Sequence, residues 1–405
     1  MDKKYFCFLF TVFLVFLITI SCTQQLQKDL SLNGDYYTID LDGRKESSIP
    51  LSLYFKRVQT IILETDDDCL IGSIDELQVF EENIFILDSK KANSLYVFDL
   101  EGKFIRKIGS KGGGPGEYVK IIDFTIDTEN RIIFLLDQGR RVFKYKLDGT
   151  FLHTITIQGN EYNVNFIQFF NDRLYSNSIS WKANVDDYLL LEINQNDGNV
   201  LSQSLPIKYN KGWNDSHFSK YSKFFMSRAH NPPRYNQMFM DYIVSLGEEI
   251  TPYIKLKSKY LTTEKDIEYF CRDKNGLPIN ILNVLNSSKI FNVHCYVENE
   301  DFIIFRCGII SSFVVIFNKK TEEVRLSDHF INDLIYNHNQ QEWLGLFRFS
   351  DSKGAYEILD TQESFFNDFQ RAIKNNEIVS DLDKLDKLFK LEEDANPVIL
   401  YYEFK

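Results

Sequence analysis

The sequence has little of what marks several common classes of protein. Eight prolines and 19 glycines in 405 residues exclude a collagen-like or low-complexity chain, and 44% apolar residues exclude a disordered one. The six cysteines and six histidines include no CxxC motif and no pair at metal-ligand spacing. The serine hydrolase motif GxSxG and the zinc peptidase motif HExxH are also missing. The sequence therefore predicts no metal, no cofactor and no catalytic residue.

Positive charge is also scarce. The chain has 46 Lys and Arg against 58 Asp and Glu, a net charge of −12. Because binding to phosphates needs a cationic surface, this balance argues against nucleic acid as the main partner. Aromatic residues are abundant instead, with 35 Phe and 22 Tyr. We therefore expect a folded globule with an ample core.

The N-terminus has the organisation of an export signal. Lys3 and Lys4 precede an apolar stretch over residues 5–20, and the small residue Ser21 precedes Cys22. The apolar stretch is shorter than the ~20 residues that span a bilayer as a helix, so we expect it to be cleaved. Residues 1–21 are therefore predicted to be a signal peptide.

A cysteine directly after such a signal resembles the lipobox of bacterial lipoproteins. The resemblance implies that Cys22 is acylated and becomes the first residue of the mature protein, with the polar residues 22–48 as a tether. We expect an exported protein that is lipid-anchored to a membrane, with the outer membrane favoured and the side of it left open. Secretion without a lipid and an uncleaved anchor are the alternatives.

Two consecutive segments, 84–108 and 133–155, share one pattern. In each, an apolar run ends in Asp (Asp88 and Asp137), an alternating strand follows, and an acidic-Gly turn precedes a strand that begins with Phe. Such alternation with a glycine turn predicts antiparallel hairpins. Weaker copies follow at 189–198, 242–256, 302–326 and 343–349. Six units at this spacing predict an all-β fold, a six-bladed β-propeller of four-stranded antiparallel blades over residues 49–405.

The end of the chain is predicted to complete the ring. One sheet of this size cannot bury both faces, so the blades must stack around an axis and close. The apolar run Val398–Phe404 has the length and pattern to complete the last blade, the alternative being an edge strand. Amphipathic periodicity predicts helices at 364–375 and 381–391, a helical insertion near the C-terminus, and a further short helix at 262–272.

The segment 72–127 resembles NHL-type propellers and, more narrowly, the six-bladed β-propeller lipoproteins of gut-type Gram-negative bacteria. The resemblance is strong over 72–157, where the loop GSKGGGPGEY (109–118) is its most specific element. Asn396 and Pro397, followed by an apolar strand, are also similar to that family. The resemblance implies a six-bladed fold, lipid anchoring and, for most members, no assigned chemistry.

Several motifs have a structural interpretation that we favour over a functional one. The glycine-rich loop 109–118 could hold a phosphate, but a strand and not a helix is predicted after it, so it is interpreted as an inter-blade connection. Asp88 and Asp137 are expected to accept hydrogen bonds from the turns that follow them. The acidic run 66–68 is interpreted as a solvated turn, with a calcium site as the alternative.

The four cysteines beyond the leader are interpreted mainly as buried free thiols. Cys295 and Cys307 fit two neighbouring strands and could form a disulfide in an exported protein, but free thiols are favoured.

Residues 205–239 form the most unusual window of the chain. They contain six Lys and Arg against one acidic residue, with aromatic residues interleaved, in a chain of negative net charge. We predict that this window is an inter-blade insertion that contributes to ligand binding. Aromatic faces stack on sugar rings, and cationic side chains hold carboxylates or sulfates. The alternative is an ordinary connection whose aromatic residues plug the channel. The candidate ligand-binding residues are Trp213, Arg228, His230, Arg234 and Tyr235.

These features favour a membrane-anchored, non-catalytic binding module for a ligand, such as a glycan, or for a partner protein. One alternative is an enzyme of the lyase or lactonase type acting at the axial opening, and another is a structural subunit of an outer-membrane assembly. An enzyme should gather three or more ionisable side chains with shifted pKa values in one pocket. A binding module should present an aromatic platform of weakly ionisable groups.

Overall fold

The computed structural model describes residues 26–159, 164–177, 188–210, 225–227, 232–271, 287–308, 312–337, 342–343, 346–379 and 382–405. The predicted signal peptide and Cys22 lie outside these residues. Among the described residues, no helix combines the length and the apolar character needed to cross a bilayer.

The elements follow the chain in a regular order. Five N-terminal strands come first: β1 (Leu26–Lys28), β2 (Tyr37–Asp40), β3 (Lys45–Glu46), β4 (Ile49–Pro50) and β5 (Phe55–Ile62). Blade one contains β6 (Glu76–Phe80), β7 (Asn83–Asp88), β8 (Ser94–Asp99) and β9 (Phe104–Ile108), and is followed by β10 (Ser110–Lys111) and β11 (Glu117–Tyr118). Blade two contains β12 (Ile121–Asp127), β13 (Ile132–Asp137), β14 (Arg141–Lys146) and β15 (Phe151–Thr156). Blade three contains β16 (Ile167–Phe170), β17 (Arg173–Asn177), β18 (Tyr188–Asn194) and β19 (Val200–Pro206).

The second half repeats this order with longer connections. Blade four contains β20 (Phe225–Ser227), β21 (Arg234–Tyr235), β22 (Tyr242–Ser245) and β23 (Thr251–Lys257), and is followed by α1 (Glu264–Cys271). Blade five contains β24 (Val293–Glu298), β25 (Phe302–Cys307), β26 (Phe313–Asn318) and β27 (Val324–Ser327), and is followed by β28 (Phe330–Ile331) and β29 (Glu342–Trp343). Blade six contains β30 (Phe349–Ser350), β31 (Gly354–Leu359) and β32 (Val398–Phe404), with α2 (Ser364–Lys374) and α3 (Leu385–Phe389) between the last two strands.

The blades form a closed ring, as the sequence predicted. The buried hydrophobic side chains fall into six clusters, and each cluster lies between two adjacent blades. An open row of six sheets would have one interface fewer. The sixth cluster packs Ile61 and Ile399 of blade six against Leu77 and Ile84 of blade one. The first and last sheets therefore bury their outer faces against each other.

Blade six is closed by both ends of the chain. The C-terminal strand β32 pairs antiparallel with β31 on one side and with the N-terminal strand β5 on the other. The prediction that Val398–Phe404 completes the last blade is confirmed, and the edge-strand alternative is wrong. The outermost strand of this blade is β5, which comes from the start of the domain.

The N-terminal segment is part of the propeller, which differs from the tether predicted over 22–48. Strands β1, β2 and β3 each add a fifth, parallel strand to the outer edge of blades three, four and five. The pairing is reinforced by burial, because Ile39 and Leu41 are 0% and 4% exposed. From Leu26 onward the segment is therefore a strap around the rim of the ring.

The structure also differs in part from the predictions for the helical insertion near the C-terminus and for the window 205–239. The predicted helix 364–375 is confirmed as α2, whereas α3 is shorter than the predicted 381–391, because Lys384 adopts a left-handed conformation directly before it. The window 205–239 contains β20 and β21, the two inner strands of blade four.

The direction of the strands defines two faces of the ring. The turns that join the first strand to the second, and the third to the fourth, lie on one face, which we call the turn face. The inter-blade connections and the α2–α3 insertion lie on the opposite face.

Candidate functional site

A cavity of about 660 Å³ opens on the turn face between blades six and one. One wall comes from the strands of blade six, the other from β6 and the turn 81–82, and Ile126 and Thr128 of blade two also line it. The cavity follows from the short inner strand of blade six: β30 pairs through two residues, whereas β6 pairs through five. The inner wall of blade six is therefore incomplete where the cleft opens.

Aromatic side chains form the blade-six wall of the cleft. The rings of Tyr356 and Tyr401 lie 4.9 Å apart at 31°, and Tyr401 is only partly buried. Gly354 makes room for this pair, because a Cβ at that position would lie 2.4 Å from the Tyr401 ring. Phe80 and Phe349 add apolar surface to the lining. The cleft therefore offers a ring face on which a flat or sugar-like ligand could stack.

Polar groups with unused hydrogen-bonding capacity lie in the same lining. The exposed side chain of Arg348 donates a hydrogen bond from a terminal nitrogen to the Ile74 carbonyl oxygen at 2.9 Å, and its other N–H groups have no hydrogen-bond partner among the described residues. Among the described residues, the buried Ser350 Oγ has no hydrogen-bond partner. The Arg348 guanidinium is therefore available to a ligand, whereas Ser350 Oγ is buried beneath the lining.

The turn of blade six, by contrast, is locked by its own carboxylate. Asp351 accepts hydrogen bonds from the amides of Lys353 and Gly354, at 2.7 and 2.8 Å, and from the Tyr356 hydroxyl at 2.6 Å. This arrangement fixes the rim of the cleft and leaves Asp351 as a structural group.

Three ionisable side chains of the cleft keep one charge state at neutral pH. The hydrogen bond from Arg57 holds the pKa of Glu403 below its usual value, and Lys56 adds to the effect. Burial raises the pKa of Tyr401, and burial together with the Asp351 carboxylate raises that of Tyr356. Glu403 is thus ionised and both tyrosines are protonated. The cleft thus gathers three side chains with shifted pKa values, the number expected of an enzyme, but all three shifts lead away from neutral pH. These groups can hold a ligand by fixed hydrogen bonds, and none of the three is poised to exchange a proton near neutrality.

Arg234 of the predicted ligand-binding set makes an internal ion pair. Its Nε and one terminal nitrogen lie 3.2 Å from the two carboxylate oxygens of Glu298 in blade five. Its guanidinium carbon lies 3.6 Å from the centre of the Tyr253 ring, and Lys319 Nζ lies 2.5 Å from the same carboxylate. Glu298 is 1% exposed. Arg234 therefore connects blade four to blade five from inside the ring wall.

Tyr235, also in the predicted set, is fully buried. Its hydroxyl donates a hydrogen bond to the Leu189 carbonyl oxygen of blade three at 3.0 Å. The other three predicted residues, Trp213, Arg228 and His230, lie outside the described residues. The structure therefore gives Arg234 and Tyr235 internal contacts and does not bring them to the cleft.

The other sequence motifs are structural where the structure describes them. The loop 109–118 connects blades one and two and is followed by a strand, as predicted. The Glu117 carboxylate lies within this loop and accepts a hydrogen bond from the Gly114 amide at 2.7 Å. Asp88 accepts hydrogen bonds from the amides of Gly72 and Lys91, at 2.7 and 2.8 Å. Asp137 does the same for the Gly139 amide at 2.8 Å.

The cysteines and the acidic run also follow the favoured interpretation. Cys69, Cys295 and Cys307 are free thiols. The Asp66 carboxylate accepts a hydrogen bond from the Asp68 amide at 3.3 Å within a turn. Across the described part of the chain, no cluster of three or more His, Cys, Asp or Glu side chains is arranged to hold a metal ion.

The innermost strands are joined directly around the axis. The Ile167 amide donates to Asp123 Oδ2 at 2.8 Å, and the Phe169 amide donates to Thr125 Oγ1 at 3.1 Å, which links blades two and three. Polar side chains of these strands are thus used between blades.

The closed ring and its cleft define the class of this protein: it is a six-bladed β-propeller with a pocket between its first and last blades. The chain belongs to the family described as a domain of unknown function, DUF4934, whose model matches residues 36–403.

Two solved structures with the same fold are proteins of Bacteroides species. The chain is 18% identical to a Bacteroides fragilis protein named "Putative exported protein", with a TM-score of 0.70 over 92% of this chain and 100% of that one. It is 12% identical to a DUF4221 family member from Bacteroides vulgatus, with a TM-score of 0.51 over 87% and 97% of the two chains. At these identities the similarity shows the fold alone. No curated protein matches the chain.

The sequence-based reasoning missed the cleft residues of blade six. Arg348, Ser350 and Tyr401 lie in the part of the chain where the repeat is weakest. The sequence signal for them was limited to two adjacent tyrosines, Tyr401 and Tyr402, on the last strand.

Proposed function

We propose that the protein is an exported, membrane-anchored β-propeller that binds a glycan without transforming it, and that the cleft between blades six and one holds this ligand. The observation that carries the proposal is the lining of the cleft. A partly exposed tyrosine ring and an exposed guanidinium lie together there, and Glu403, Tyr356 and Tyr401 each hold one charge state at neutral pH. Sugars are bound by this combination of ring stacking and directed hydrogen bonds.

The proposed export and anchoring rest on the N-terminal sequence. The charged residues, the apolar stretch and Ser21 before Cys22 support cleavage and acylation, and the name of the Bacteroides fragilis structure agrees with export. Fractionation of cells that express the full chain tests this. The parent should sediment with membranes and Cys22→Ser should not; equal distribution of both would contradict the anchor.

Binding by the cleft is tested with an array of soluble glycans and titration of the bound ones. Arg348→Gln should weaken binding about tenfold or more, because a hydrogen bond to a charged group contributes roughly 1.5 to 3 kcal/mol. Tyr401→Phe should weaken it less, and Tyr401→Leu more, because the first keeps the ring and the second removes it. The matched control is Tyr260→Ala, an exposed tyrosine between blades four and five.

Unchanged affinity in the Arg348 and Tyr401 variants would remove the cleft from the proposal. The double variant Trp213→Ala, Arg228→Ala would then test the residues that the sequence indicated. Arg234 and Tyr235 are left intact in that variant, because both are buried and their loss would disturb the fold.

A further inference from the structure

The chain reaches the propeller at one defined place on the rim. Strand β1 lies parallel to β19, the fourth strand of blade three, with Leu26 opposite Ser202. Lys28 Nζ lies 2.9 Å from Glu192, whose side chain is 2% exposed, and Leu30 is 5% exposed. The first described residues are therefore fixed to the outer edge of blade three, at the end of β19 nearest the turn face.

The chain between this point and the proposed lipid is short. Cys22 precedes Leu26 by four residues, and an extended chain advances at most about 3.5 Å per residue, so the two lie within roughly 14 Å of each other. This step rests on the proposed function, since it requires that Cys22 carries the lipid. A tether of that length cannot move the rim far from the headgroups, which occupy roughly 5 to 8 Å on each side of the bilayer.

Exposed leucines lie along the same rim. Leu152 is the second residue of β15, the fourth strand of blade two, and Leu201 is the second residue of β19, the fourth strand of blade three. Their side chains are 38% and 39% exposed. Leu26, at 59%, lies beside β19. Leu32 is 55% exposed and follows Ser31, whose amide donates to the Ile250 carbonyl oxygen before the outer strand of blade four. We call these four leucines the anchor rim.

We infer that the anchor rim rests in the interface of a phospholipid bilayer and that the cleft lies on the opposite side of the ring, away from the point of attachment. The four leucines are at the turn-face ends of the outer strands in three adjacent blades, centred where the tether begins. In a ring of six blades, blade six is diametrically opposite blade three. The proposed binding cleft is therefore held on the far side of the ring, where a ligand in the aqueous phase has free access.

Because exposed acidic residues lie on the rim, docking to the membrane requires the lipid on Cys22. The exposed residues Glu248 and Glu249 lie in the turn beside Lys28, so the surface is not basic and gains nothing from anionic headgroups. The exposed leucines add to membrane affinity only after the acylated Cys22 has brought the rim to the surface. Without the lipid, we expect no binding to vesicles.

The test uses the full acylated chain in vesicles of phosphatidylethanolamine and phosphatidylglycerol that contain nitroxide-labelled lipid. A fluorophore is attached at Leu201→Cys on the anchor rim or at Leu100→Cys in the cleft, positions with matched exposures of 39% and 40%. Cys271 and Cys295 are replaced by Ser, and the buried Cys69 and Cys307 are kept. Quenching at position 201 should exceed that at position 100 several-fold.

A flexible insertion of ~20 Gly and Ser residues between Gln25 and Leu26 provides the matched control. It should leave the protein on the membrane and reduce quenching at position 201; unchanged quenching there would overturn the argument from tether length. A membrane-bound parent with equal quenching at both positions, or none at 201, overturns the inference alone. A parent that does not float with the vesicles overturns the anchor, and the inference with it.

Discussion

Replacing Glu357 by Gln should remove a large pH dependence from the stability of the protein. Glu357 lies on β31 with its carboxyl buried in the core between blades five and six. It accepts hydrogen bonds from Trp343 Nε1 at 2.8 Å, from the Leu346 amide at 3.1 Å and from the Tyr402 hydroxyl at 3.1 Å. Within the described residues, no cation pairs with it. Burial raises its pKa from 4.5 to about 7, and the three hydrogen bonds only partly oppose that effect.

The direction of the effect follows from proton binding. The folded protein holds the proton on Glu357 more tightly than the unfolded chain does. The associated stabilisation is therefore complete below pH 4.5 and is lost as the pH rises through about 7. Each tenfold difference in proton affinity corresponds to 1.36 kcal/mol, so about 3 kcal/mol of unfolding free energy is at stake. Glutamine is neutral at every pH and does not lose this contribution.

Denaturant unfolding at a series of pH values from about 5 to about 8.5 measures the effect. The quantity to follow is the free energy of unfolding of Glu357→Gln minus that of the parent, because the other titrating groups cancel in the difference. This difference should move by about 3 kcal/mol in favour of Gln as the pH rises. In the control Glu393→Gln, an exposed glutamate, it should stay constant. A difference for position 357 that does not change with pH would refute the reasoning.

Three further predictions concern the ring itself, and all can be measured by denaturant unfolding and circular dichroism. Gly149→Ala should lower the free energy of unfolding by about 1 to 2 kcal/mol, because the residue has φ +88° but an added Cβ would lie no closer than 3.7 Å to any neighbour. Gly102→Ala should lower it clearly more, because its Cβ would lie 2.2 Å from the Ile62 carbonyl oxygen. Equal losses in the two variants would contradict this reasoning. Glu298→Gln should cost about 3 to 5 kcal/mol of unfolding free energy, because it leaves the buried Arg234 and the half-buried Lys319 without this counter-charge. Lys319→Met should cost less, because Arg234 still pairs with the carboxylate. Deleting residues 398–404 should abolish folding, because β32 lies between two paired strands, and a folded truncated protein would contradict the closure.

The blades that the sequence predicted best are those whose turns require glycine. Gly102 and Gly149 both have φ +88° at the turn between the third and fourth strands. A side chain is disfavoured at such an angle, so the glycine recurs at this turn in blades one, two and three, and the repeat can be read there. Where the turn uses other residues, as at Glu322 in blade five with φ +56°, the pattern fades.

The strap and the candidate site could not be read in the same way, because both depend on contacts distant in sequence. Residues 26–46 are polar enough to resemble a tether, and their pairing depends on the free outer edges of β19, β23 and β27. Arg234 lies in a cationic, aromatic window that looks like an exposed surface. Its partner Glu298 is 64 positions away and belongs to another blade. Local composition shows that such side chains are present but not what they contact.

The position of the cleft has a physical reason in the way the ring closes. Blade six has a short inner strand pairing of two residue pairs, as blade four does, but also the β32–β5 pairing, which extends over seven residue pairs from Val398 to Phe404. The outer part of the blade, built from the two ends of the domain, thus supplies the pairing that the inner part lacks. Because the outer strands hold the blade together, the inner strand can end early and leave a cavity beside it. The closing blade can therefore open a binding cleft while its outer strands keep the ring intact.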